Sequence, residues 1–405
     1  MIDFELTPQQ ERLRELIHQF AKNVVRPISL QSDREHQIPE DFLLRLAVMR
    51  AGLSGGEIPE EYGGEGAGAG GAKDARGRTQ KNRTGILSAE EMAWGDVGVV
   101  MNLPGPGLGG PPLEFMGTPE QKKRFFSVFK KPGLHYGAYG LTEPGAGSDV
   151  SSIRTSCRKD GDHWVLNGRK CYITNGAKAD WVVIFATVDP SLGRVGHRAF
   201  IVEKGTPGFS VGKVEEKMGL RSSETAELVL EDCRVPEDQL LGGEAHYRSK
   251  EGFMGAMKTF DSSRPLVGAL GLGIARAAFE YTRDFVRDNY MLGRSLPRYV
   301  QLAQILADDK RLLDAARLMC WRAAWMADEG IPNAKEASMA KAYAAKVAMR
   351  VCSDAVQILG AHGLERHQFV EKWYRDIKVF DIFEGTGQIQ RIVISKRILR
   401  ETPNF

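Results

Sequence analysis

The chain has 405 residues, 42% hydrophobic and 26% charged, a composition that suits two or three ordinary globular domains. A formal net charge of +3 on this length argues against a partner held by bulk charge, whether nucleic acid or membrane surface. No apolar run approaches the roughly 18 residues of a membrane span, and Met1-Ile2-Asp3-Phe4-Glu5 is acidic where a signal peptide is basic. Five widely spaced cysteines without a Cys-x-x-Cys pair speak against a disulfide frame or structural zinc, so a soluble, cytoplasmic protein is expected.

Thr7-Pro8-Gln9-Gln10 is a capping-box start with proline at the first helical position. Leu13, Leu16, Ile17, Phe20 and Val24 line one face of the helix that follows, and Pro27 is expected to stop it. Phe42, Leu43, Leu46 and Ala47 continue the helical spacing up to Gly52. Residues 61–85 are glycine-rich and basic, without the Lys-Ser/Thr pair of a phosphate-binding loop, and read as a mobile surface loop. Pro104 and Pro106, with three glycines between 105 and 109, bar a continuous helix and predict a sharp bend.

From about Tyr136 the texture changes to short runs rich in β-formers. Trp164-Val165-Leu166, Cys171–Thr174, Trp181–Ala186, Ala199–Val202 and Ala226–Leu230 are separated by hairpin signals such as Lys159-Asp160-Gly161-Asp162. After Gly252 the pattern is helical again, in long amphipathic segments at about 253–292, 297–329 and 334–360 and a fourth near the C-terminus. Phe260-Asp261-Ser262-Ser263-Arg264-Pro265 looks like the opening of the first. Gly271-Leu272-Gly273 falls within that helix with no strand before it, which favours close helix packing over a dinucleotide fingerprint.

The fourth segment has a joint. Ile377, Phe380, Ile382 and Phe383 are apolar at helical spacing, the pattern breaks at Glu384-Gly385-Thr386, and Ile389, Ile392 and Val393 resume it. If such a carboxylate at a glycine hinge is buried, its pKa rises and it becomes a useful base; by itself the Glu-Gly-Thr pattern equally fits a solvated loop glutamate or a helix cap.

Together these stretches resemble the acyl-CoA dehydrogenase family over essentially the whole chain. The order helical, β, helical agrees, and two runs are distinctive: Thr142–Asp149 (Thr-Glu-Pro-Gly-Ala-Gly-Ser-Asp) and Glu384–Arg391 (Glu-Gly-Thr-Gly-Gln-Ile-Gln-Arg). The expected fold is α+β, with an N-terminal helical domain (1–135), a middle antiparallel β-domain (136–245) and a C-terminal four-helix bundle domain (246–405). The resemblance implies FAD, its ring between the β-domain and the bundle and lined by Tyr139, Leu141, Thr142, Ser148, Tyr172, Ile173 and Thr174. Gln357, Gly360 and Ala361, with Thr386 and Gln388, match positions that grip the adenosine-diphosphate part across a subunit boundary of a homotetramer. Asp261, Arg264, Gly385 and Ser148 match substrate-side contacts, and Glu384 falls on the catalytic base.

The implied reaction turns an acyl-CoA into a 2-enoyl-CoA and passes electrons to electron-transferring flavoprotein, as in β-oxidation. An acyl-CoA oxidase using O2, or a non-catalytic acyl-CoA-binding relative, carries the same motifs. Some relatives place the base just before the arginine matching Arg264; here Ser263 stands there. The chain departs from the family at Tyr172, usually Trp or Phe, and at Asn289–Gly293 and Val300, where the usual arginine and glutamine are displaced to Arg287 and Gln301. The bend at 104–109 falls on the stretch that usually floors the acyl pocket, which predicts an acyl group other than a straight medium chain.

Overall fold

The computed structural model describes residues 2, 4–51, 80–247, 254–289 and 300–401, with the side chains of 48–51, 254–262 and 401 left aside. Helix α1 (Pro8–Phe20) opens with the expected capping box: the Thr7 hydroxyl accepts from the Gln10 N–H at 3.2 Å, and the Gln10 carboxamide oxygen accepts from the Thr7 N–H at 3.1 Å. Pro27 does not end the helical run. Ala21–Val25 shift to π-helical pairing, and α2 (Arg26–Glu35) continues directly from them with Pro27 at its second position.

After α3 (Glu40–Ala51) comes α4 (Lys81–Met101). Residues 61–79 of the expected loop lie outside the described residues, but 81–85 are helical rather than loop. The reason is remote: the Asp328 carboxylate accepts from the N–H groups of Asn82 (2.8 Å) and Arg83 (3.2 Å), capping α4 from a residue far along the chain. The backbone is extended at Asp96 (φ −164°, ψ 120°), which breaks α4 near its end. The bend beyond Met101 forms where the prolines predict it. Gly105 is tied to the start of the β-domain, its N–H donating to His135 O and its carbonyl accepting from the Gly137 N–H, both at 2.8 Å. Helices α5 (Gly110–Met116) and α6 (Pro119–Phe126) follow.

Seven strands form one curled sheet: β1 (Gly137–Gly140), β2 (Ser156–Asp160), β3 (His163–Thr174), β4 (Trp181–Thr187), β5 (His197–Glu203), β6 (Phe209–Val214) and β7 (Thr225–Pro236). Pairing is mostly antiparallel, but β1 runs parallel to β4, and so does the end of β2 at Ser156. Strand β4 is buried on both faces, which explains its unbroken apolar run: Val182, Ile184 and Ala186 join one core, Trp181, Val183 and Phe185 the other, the latter covered by α5 and α6.

Helix α7 (Gly243–His246) leads to the bundle of α8 (Met254–Asn289), α9 (Val300–Asp328), α10 (Ala334–Leu359) and α13 (Gly387–Glu401), with α11 (Ala361–Leu364) and α12 (Phe369–Ile377) between the last two. Helix α8 starts at Met254, as the expected 253–292 segment has it and ahead of the Phe260–Pro265 stretch that looks like its opening, and carries Pro265 inside it. Gly273 shows why this helix needs glycine: an added Cβ would lie 2.3 Å from the Glu90 carbonyl of α4. Among the described residues no helix is long and apolar enough to cross a membrane.

Helix α12 is where the three parts of the chain meet. The buried Lys372 ammonium lies 2.8 Å from Asp96, at the break in α4, and 2.6 Å from Asp376. Asp376 also accepts from the Leu220 N–H of the β-domain at 2.7 Å. One turn away, Arg375 grips both oxygens of Asp33 (3.0 and 2.6 Å) and donates to Met218 O at 3.1 Å. Removing one partner of a buried ion cluster leaves uncompensated charge, so Lys372→Met is expected to cost about 3–5 kcal/mol. A urea-unfolding midpoint equal to that of the parent protein would show that the cluster contributes nothing.

Candidate active site

Past α12, a 3-10 turn (Lys378–Asp381) leads into the hinge, and α13 begins at Gly387. Ile377 and Phe380 are buried, and the Phe380 and Phe383 rings meet edge-on with centroids 4.9 Å apart, so the apolar approach to the hinge is real. Beyond it, Ile389 and Val393 are half-buried and Ile392 is exposed. Glu384 adopts a left-handed conformation (φ 53°), followed by Gly385 at φ 89°. Glycine suits position 385 because of that φ, and a Cβ there would also push on Gln390 Nε2, 2.7 Å away.

Three side chains hold this turn. The buried Gln390 carboxamide donates to the carbonyls of Glu384 (3.1 Å) and Gly385 (3.0 Å). The buried Lys341 ammonium, from α10, donates to the Gly385 carbonyl at 2.7 Å. Thr386 caps α13, its hydroxyl accepting from the Ile389 N–H at 3.3 Å.

The carboxylate itself is half-buried and accepts from the Ser263 hydroxyl of α8 at 2.5 Å. Burial pushes its pKa above the ordinary glutamate range, and the Ser263 hydrogen bond and the charges of Arg264 and Lys341 only partly offset that. Arg264 is buried on the same helix and donates to the Ser338 hydroxyl at 3.3 Å. The Tyr139 phenol on β1 is pushed up by burial and then by the Glu384 charge, so strand β1 lies within electrostatic reach of the hinge.

The other glutamate of the distinctive runs has a different fate. Glu143 accepts from the N–H groups of Arg154 (2.6 Å) and Thr155 (2.9 Å) and from the buried Lys170 ammonium (2.6 Å). Although burial works against it, these partners hold its pKa below the ordinary range. It is a brace for the loop after β1, not a base. Lys170 also donates to Leu141 O at 3.2 Å, and Thr142 O accepts from the Cys171 N–H at 2.9 Å, so the loop is pinned from beneath.

The remaining residues singled out in the sequence fall into two groups. Leu141 and Ile173 are buried, Thr142 and Thr174 half-buried and Ser148 exposed, around the end of β1 and a bulge in β3. Tyr172 stands in that bulge with φ 58° and its side chain 65% exposed, an aromatic face open to a flat ligand. Gln357, Gly360, Ala361 and Gln388 are exposed, at the end of α10 and the start of α13, and not in the Glu384 cluster. The Asp261 side chain and residues 290–299 lie outside the described residues. Arg287 pairs along its own helix with Asp288 (2.8 Å) and Asp284 (3.2 Å).

Sequence reasoning missed Lys341 and Gln390, and treated Ser263 only as a position without a carboxylate. A signal for Lys341 was available. It interrupts the helical stripe Ala337, Ala344, Ala345 and Ala348, and a charge on a buried stripe must have a partner.

The hydrogen bond from Ser263 favours the ionised carboxylate. Ser263→Ala is therefore expected to move the Glu384 titration to higher pH, as followed by carboxylate infrared bands; an unmoved titration would mean the hydroxyl does not govern the base.

Three family models match the chain: acyl-CoA dehydrogenase N-terminal domain over residues 7–129, middle domain over 138–233 and C-terminal domain over 250–399. The short-chain-specific acyl-CoA dehydrogenase of Clostridium acetobutylicum is 38% identical over 401 residues, covering 98% of this chain and 100% of that protein. The structure of butyryl-CoA dehydrogenase from Megasphaera elsdenii matches with a TM-score of 0.87 at 36% identity, over 98% of this chain and 100% of that one. A chain in a structure described as the electron transferring flavoprotein of Acidaminococcus fermentans matches with a TM-score of 0.86 at 38% identity, over 99% and 100%.

Proposed function

The chain belongs to the acyl-CoA dehydrogenase family, and from that premise we propose that Glu384 is the base that takes the α-proton of an acyl-CoA thioester as a 2-enoyl-CoA forms. The observation that carries this reading is the hinge itself: a carboxylate of raised pKa, set in a left-handed turn that Gln390 and Lys341 hold, and near enough to Tyr139 of the β-domain for its charge to act on that phenol.

FAD is the cofactor we propose, and when bound it supplies the two-electron acceptor for the hydride that leaves the β-carbon. The chain fits such a group. Tyr172 offers an exposed ring beside the pinned loop of Leu141 and Thr142, and the exposed Gln357, Gly360, Ala361 and Gln388 would hold the longer tail of a cofactor seated on a neighbouring chain.

As the α-proton leaves, negative charge builds on the thioester oxygen. The Glu384 N–H, on a hinge that Lys341 and Gln390 hold still, is the donor we assign to that oxygen, and one such donor contributes about 3–4 kcal/mol. The proton moves to the Glu384 carboxylate, where Ser263 keeps the recipient oriented. Arg264, buried next to it, braces the substrate side.

We propose electron-transferring flavoprotein as the acceptor of the two electrons, a reading supported by the Acidaminococcus fermentans match. A homotetramer is the proposed assembly, supported by the apolar residues that α13 leaves exposed on a single chain, Ile392, Ile398 and Leu399. For the substrate we propose a short or branched acyl group, supported by the similarity to the short-chain-specific relative and by the bend at 104–109.

Glu384→Gln is expected to retain FAD and acyl-CoA binding while the rate of flavin bleaching by substrate falls about 10²–10⁴-fold. Near-parent bleaching by this variant would move the base elsewhere. In a competition of short, medium, branched and alicyclic acyl-CoAs at equal concentration, short or branched substrates should be consumed first. Clear preference for a straight medium chain would show that the bend leaves the pocket floor unchanged.

A further inference from the structure

Lys341 is a charge that the proposed chemistry does not consume. Its side chain is fully buried on α10, and its hydrogen bond goes to a carbonyl, that of Gly385, rather than to a carboxylate. The charged groups that face it are Glu384 at the hinge, Asp381 in the 3-10 turn before it, and Arg264 on α8.

A carbonyl in this position does not by itself require a cation. Gln390 already donates to the Gly385 oxygen at 3.0 Å, and a second neutral amide would fill the other lone pair. Burying an ammonium instead is costly, and what it adds over an amide is a field. That field falls on Glu384, which also faces Ser263 and Arg264 from α8 and Tyr139 from β1.

We infer that Lys341 is the positioning residue of the Glu384 base: it pins the Gly385 carbonyl, so the carboxylate keeps its direction, and its charge behind the hinge favours the ionised carboxylate. The inference rests on the reading of Glu384 as the base. It gives α10 a part in the reaction that none of the sequence motifs marks. Burial brings the Lys341 ammonium down to about 8 against the pull of Asp381 and Glu384, with Arg264 adding to the fall, so the cation is intact below that pH.

The test uses FAD-loaded enzyme with butyryl-CoA as the probe. The limiting rate of anaerobic flavin reduction is followed against pH below about 8 for the parent, Lys341→Met, Lys341→Gln, Lys341→Arg and Glu384→Gln. The acid limb of the parent profile reports ionisation of the base. Losing the charge raises the pKa of Glu384, so in the methionine and glutamine variants the limb moves to higher pH. The limiting rate of the methionine variant also falls about 100-fold as the carboxylate loses its aim. Affinity for crotonyl-CoA, read from the flavin spectrum, stays within about twofold of the parent. The arginine variant keeps the limb in place. If the methionine variant does not hold FAD, the glutamine variant carries the comparison.

An unmoved acid limb in the neutral variants overturns the inference, as does a loss of crotonyl-CoA affinity with an unchanged limb, or an arginine variant shifted as far as methionine. The Glu384→Gln arm separates the two readings. If it reduces flavin at the parent rate, the base assignment fails; if it is inactive while the neutral Lys341 variants follow the parent profile, only the role of Lys341 fails.

Discussion

A single buried ammonium, Lys372, stands between the carboxylates of Asp96 and Asp376, and the placement of the hinge depends on it. Burial alone would drive that ammonium toward its neutral form, but the two carboxylates outweigh burial and raise its pKa above the ordinary value. Such a cluster forms only when all its members arrive together. Asp96 comes from the N-terminal helices, Asp376 binds the β-domain through the Leu220 N–H, and Lys372 belongs to the last helix before the hinge. Arg375, on the same helix, adds its two-pronged contact with Asp33. Since the 3-10 turn and Glu384 follow directly, locking α12 to all three parts of the molecule fixes where the carboxylate stands relative to the sheet.

The two glutamates of the distinctive runs show how environment divides their labour. Both feel the cost of burial. Glu143 receives two backbone N–H groups and a lysine in direct contact, which hold it ionised and idle. Glu384 receives one hydroxyl, while its cations stand back, one bound to Ser338 and the other to the Gly385 carbonyl. Its charge is tolerated rather than satisfied, which is the state a base needs before substrate arrives.

The architecture was legible because its signals are local. The capping box at Thr7, the unbroken apolar run of β4, the prolines at 104 and 106 and the break at Glu384-Gly385 each act through residues within a few positions of themselves. What the sequence hid is made by distant partners. The cap that starts α4 comes from Asp328, and the parallel pairing of β1 with β4 joins strands far apart in the chain. The same holds at the site. Glu384 stood out in its own motif, whereas Ser263, Lys341 and Gln390 acquire meaning only once α8, α10 and α13 converge on the hinge. Of these, only Lys341 broke a pattern that could be read in advance, a charge on an alanine stripe.

The central claim is that Glu384 removes the α-proton, and that step is measured most directly when the hydride cannot follow it. An α-deuterated 3-thia-acyl-CoA, whose sulfur replaces the β-carbon, isolates proton removal, and loss of its deuterium to solvent is counted by mass spectrometry. The account predicts steady wash-out with the parent protein and none above the solution rate with Glu384→Gln. Wash-out by that variant at the parent rate would contradict it.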